Sequence, residues 1–110
     1  MKTLYQLSTM KKLILLLLLS TGMVNAQNVT IPDAAFKAKL VTANSTDAAN
    51  KIAKDFSDNW MTIDANGDGE IQLSEAQAVK LLSIHNTYLI KDVTGLTSFS
   101  NLQRLLFQFL

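Results

Sequence analysis

The stretch "DANGDGEIQLSE", Asp64 to Glu75, carries oxygen-bearing side chains at its first, third, fifth, ninth and twelfth positions and a glycine at its sixth. A calcium ion takes about six to eight oxygen ligands, and a short loop supplies them when alternate side chains turn inward while the backbone coils around the ion. Asp64, Asn66 and Asp68 have that alternation, and Gly69 permits the sharp turn that follows because it has no Cβ. Glu70 offers its backbone carbonyl, Gln72 an amide oxygen and Glu75 a carboxylate that closes the site, while Ile71 points to the core. The oxygen-only donor set disfavours zinc and copper. Asp, Asn and Gly also cluster in ordinary turns, because Asx side chains bond their own backbone. That alternative accounts for "DANGDG" but does not require Ile71 or Glu75.

On the C-terminal side of the loop, Ser74 and Gln77 have the spacing of a capping box, which predicts a helix through Ala76, Ala78 and Val79. On the N-terminal side, Ile52 and Phe56 lie one helical turn apart, which predicts a helix fraying near Ser57 to Asn59. Helix, loop and helix together resemble an EF-hand, and the resemblance covers every ligand position of that motif.

The N-terminal part reads as a secretory signal peptide. Lys11 and Lys12 precede an unbroken apolar run from Leu13 to Leu19, and Val24 and Ala26 fit a signal peptidase site. The alternative, a transmembrane anchor, needs about 20 apolar residues, more than this run provides before Ser20, Thr21 and Gly22. Met10 is a second candidate start. Cleavage after Ala26 would leave 84 of the 110 residues. It would remove Lys2, Lys11 and Lys12, leaving 7 basic residues against 9 acidic ones, a net charge near −2. The basic pI of about 8.0 therefore belongs to the uncleaved chain, and no basic stripe points to nucleic acid. Without cysteine there is no disulfide support, and a structural metal is one remedy for a small core.

"TIPDAAFKAKLV" predicts a first helix, with Pro32 near its start, Asp33 in its first turn, and Phe36 and Leu40 one turn apart on one buried face. The polar run Asn44 to Asp47 is a loop, and Thr46 or Asp47 is placed to cap the helix leading to the calcium loop. Trp60, the only Trp, suits a core or loop-clamping role better than ligand stacking. Farther on, Val79, Leu82 and Ile84 have the spacing L-x-x-L-x-L, and Leu102, Leu105 and Phe107 repeat it 23 residues later. Between them Val93, Leu96, Phe99 and Leu102 recur at every third residue. A 23-residue period lies in the leucine-rich repeat range; the alternative is apolar coincidence in a small α+β core.

In order, "IPDAAFKAKL", "IDANGDGEIQLSEA" and "DVTGLTSFSNLQRL" resemble the start of secreted leucine-rich repeat proteins of Bacteroidetes type, in which a helical cap with one EF-hand-like loop precedes internalin-like repeats. That resemblance implies an α+β fold: residues 1–26 a signal peptide, 27–78 a helical cap with the calcium loop at 64–75, and 79–110 the beginning of an incomplete solenoid. The Asn that such repeats place three residues after each strand is replaced by Thr87 and Leu110. The resemblance further implies a secreted or cell-surface, calcium-binding scaffold for a protein or glycan, without enzymatic activity and, after signal cleavage, without a membrane span. A small stand-alone EF-hand-like or dockerin-like module is the alternative. No phosphate loop or HExxH motif is present. His85, the only His, is expected on the solvent side of a strand.

Overall fold

The computed structural model describes residues 27–85 and 89–108. The signal-peptide expectation, and those on Thr87 and Leu110, lie outside these residues. Helix α1, Ala34–Thr42, begins where Asp33 accepts a hydrogen bond from the Phe36 N–H at 2.9 Å. Its Phe36 and Leu40 are fully buried. A 3₁₀ turn at Ala48–Asn50, capped by Asp47, leads to a short strand β1, Ala53–Lys54. After the acidic loop come helix α2, Leu73–Gln77, strand β2, Leu81–His85, a second 3₁₀ turn at Leu96–Ser98, and strand β3, Arg104–Gln108.

The strands form one sheet in the order β1-β2-β3. β1 runs antiparallel to β2, with Ala53 opposite Leu82. β3 runs parallel to β2, with Leu82 opposite Leu105 and Ile84 opposite Phe107. Strand side chains alternate between faces, so Leu82 and Ile84 turn together into the core with α1. Phe36 and Phe107 close that layer with ring centroids 6.5 Å apart. Val29 and Ile31, ahead of α1, complete it together with Ile63, Ile71 and Val79.

This architecture corrects the expected solenoid. Among the described residues the sheet is mixed and three-stranded, with a single parallel crossover. One flank of β2 is occupied by the antiparallel β1, whereas a solenoid stacks each unit on a like neighbour along one direction. In the first copy of the L-x-x-L-x-L spacing Val79, Leu82 and Ile84 are buried, whereas in the second Leu105 is exposed, so the spacing does not decide what the strand pairs with. Of the third-residue series, Phe99 is buried while Val93 is exposed.

The helical cap is corrected as well. Ile52 to Asn59 is not a helix: Met61 N–H donates to the Ala53 carbonyl at 2.9 Å, Asp55 N–H to the Asn59 carbonyl at 3.0 Å, and Lys54 bridges Trp60. The Asp55 carboxylate accepts from the N–H groups of Ser57 and Asn59, and Asp58 sits at φ 64°. These turn contacts, added to the pairing of Ala53 with Leu82, outweigh the weak helical signal of the Ile52 and Phe56 spacing. Phe56 is 52% exposed.

Candidate metal centre

The acidic loop is built from contacts within a dozen residues. Asp64 Oδ2 accepts from the Gly69 N–H at 3.0 Å, Asn66 Oδ1 from the Asp68 N–H at 3.2 Å, and Asp68 Oδ1 from the Glu70 N–H at 2.9 Å. Gly69 has φ 80°, the left-handed conformation its sixth position demands. These side chain-to-backbone bonds are the ones that an ordinary Asx turn also makes.

Four of the expected ligands come together. Gln72 Nε2 donates to Asp68 Oδ2 at 2.7 Å, and Asn66 Nδ2 donates to Gln72 Oε1 at 3.2 Å. The Asp68 carboxyl is held below the ordinary carboxylate range, chiefly by the Glu70 N–H, with smaller contributions from Gln72, Asp64 and Asn66. Asp64 is 6% exposed, and its Oδ1 is buried without a hydrogen-bond partner. A buried carboxylate oxygen with no donor is an unsatisfied acceptor.

The remaining two are arranged differently. Glu75 Oε1 accepts from the Gln72 N–H at 2.9 Å and Oε2 from the Ala65 N–H at 2.8 Å, so its carboxylate laces the start of α2 to the loop. The capping role expected of Ser74 and Gln77 belongs to Gln72 and Glu75. Glu70 turns its side chain outward, where it meets Lys37 Nζ at 2.7 Å. Among the described residues no group of three or more His, Cys, Asp or Glu side chains is arranged to hold a metal. The donor set is instead mixed, two carboxylates with two amides, and the orphaned Asp64 oxygen is the feature that fits a hard cation.

Two residues at the site have no local signal in the sequence. Asn28 Oδ1 accepts from Gln72 Nε2 at 2.9 Å across 44 residues, and Lys37 reaches Glu70 across 33. His85 lies elsewhere, exposed on β2, with Nε2 3.2 Å from Ser83 Oγ and Nδ1 2.7 Å from Gln108 Oε1. Trp60 is half-buried beneath Lys54 Nζ, 4.8 Å from the ring centroid, consistent with a clamp on the turn. Compared with protein-family models, with characterised proteins and with solved structures, the chain matches none of them.

Proposed function

We propose that this chain is a secreted, non-enzymatic calcium-binding module in which the ion stabilises the fold around the Asp64–Glu75 loop. The observation that carries the reading is the buried, unpartnered Oδ1 of Asp64 at the first position of the loop. Asp64, Asn66, Asp68 and Gln72 would hold the ion through side-chain oxygens, Glu70 through its carbonyl, and Glu75 through its carboxylate. Calcium supplies there the positive charge that the clustered carboxylates lack. The apolar run before Gln27 supports export, and an extracellular setting suits a protein or glycan as partner.

The role is stabilising rather than signalling. A sensor opens a Met-rich groove between helices that swing apart, whereas here α2 is short and runs within a few residues into β2, the central strand. Titration calorimetry tests the reading: binding is expected in the weak extracellular range, about 10⁻⁴–10⁻³ M, and absence of heat up to about 10 mM calcium would refute it.

A further inference from the structure

The Asp64–Glu75 loop does not stand alone at its C-terminal half. Val29 N–H donates to the Ile71 carbonyl at 2.7 Å, Leu73 N–H donates to the Gln27 carbonyl at 2.8 Å, and Asn28 and Gln72 form an antiparallel bridge between them. The segment Gln27–Val29 therefore lies along the loop as a paired strand would. It is anchored beyond the pair, because Val29 and Ile31 are buried in the core and Gly95 packs so closely that a Cβ there would stand 2.8 Å from the Thr30 carbonyl oxygen.

The Gln72 side chain is where this pairing meets the proposed ligands. An amide can ligate calcium only through its carbonyl oxygen, and a free amide presents either end. Here Nε2 donates to both Asn28 Oδ1, at 2.9 Å, and Asp68 Oδ2, at 2.7 Å, which leaves Oε1 directed at Asn66 within the loop.

We propose that Gln27–Val29 is the pairing segment that completes the calcium loop, with Asn28 a positioning residue that holds the Gln72 carbonyl oxygen toward the ion, so that calcium binding and docking of the N-terminal segment are coupled. The proposal rests on the calcium reading above. Coupling of this kind is reciprocal: whatever docking adds to calcium affinity, calcium adds to docking.

The test is calorimetric titration with calcium chloride of the wild-type chain, Asn28→Ala and Asn28→Asp, together with amide hydrogen exchange at Val29 and Leu73 with calcium and with chelator. Outer-shell partners of metal ligands are worth about 10–100-fold in affinity, and Asn28→Ala is expected to weaken binding by that factor. Asn28→Asp keeps an oxygen acceptor for Gln72 Nε2 and should bind at least as well as wild type, a rescue that general loosening of the segment would not give. Calcium should slow exchange at both amides. Equal affinity of Asn28→Ala and wild type overturns the coupling while leaving the calcium site intact, as does equal weakening by both variants. No binding by wild type overturns the site and the coupling together. Should Asn28→Ala fail to fold, unchanged Val29 exchange in wild type on adding calcium overturns the coupling by itself.

Discussion

Asp33 and Lys91 are 58 residues apart in sequence, yet Asp33 Oδ2 accepts from the Lys91 N–H at 2.9 Å, and from the Asp92 N–H at 3.1 Å, while Oδ1 caps α1. One carboxylate thus closes the start of the helix and pins the crossover between β2 and β3 to it.

These N–H groups, Phe36 first and then Lys91, hold the Asp33 carboxyl below its ordinary value of 3.8. A depressed folded-state value means that its contribution is fully present above the ordinary value and is lost as pH falls below it. Asp33→Asn keeps one acceptor and loses the charge. It is expected to lower the thermal midpoint at pH 7, and the gap from wild type should shrink as the pH falls below about 3.8. Melting curves at a series of pH values check this; a gap that widens in acid would rule it out.

Gly95 has φ 106°, and a Cβ there would approach the Thr30 carbonyl oxygen at 2.8 Å and Ile31 Cγ1 at 2.9 Å. Gly95→Ala carries the conformational strain of about 1–3 kcal/mol and the clash besides. Chemical denaturation should show at least that loss, with Val29 and Ile31 becoming more exposed. A loss below about 0.5 kcal/mol would mean that the segment shifts freely, contrary to its burial.

Phe36 is fully buried against Phe107 and the inward face of β2. Phe36→Ala is expected to cost about 3–5 kcal/mol. For a small domain of about 5–15 kcal/mol total stability that is a large share, readable by urea denaturation.

Calcium at ten times its dissociation constant should raise stability by about 1.4 kcal/mol. Asp64→Asn retains an oxygen for the Gly69 N–H and replaces the unpartnered carboxylate oxygen with an amide group. In chelator this variant should be as stable as wild type or more so; in calcium it should lose the gain. Melting both proteins in both conditions gives four midpoints, and a calcium shift that survives the substitution would exclude Asp64 as a ligand. Exposure of dye-binding surface on adding calcium would replace the stabilising role with a switch.

What the sequence determined by itself is what neighbouring residues settle among themselves. The Phe36 and Leu40 face of α1 follows from 3.6-residue spacing. The hydrogen bonds that coil Asp64 to Glu70 are closed between residues at most five apart, so they were legible in "DANGDGE". The inward positions Leu82 and Ile84 follow from strand alternation. Partner choice was not legible. Ala53 and Lys54 became a strand because β2 offered an edge, and the 23-residue spacing of two leucine patterns became the register of one parallel pair in a mixed sheet. Asn28, Lys37 and the Asp33 link to Lys91 act across 33 to 58 residues. The physical reason is that periodicity records which side of an element is apolar, whereas the burial of all those apolar sides in one core decides which elements meet, and only that packing brings distant polar groups within bonding distance.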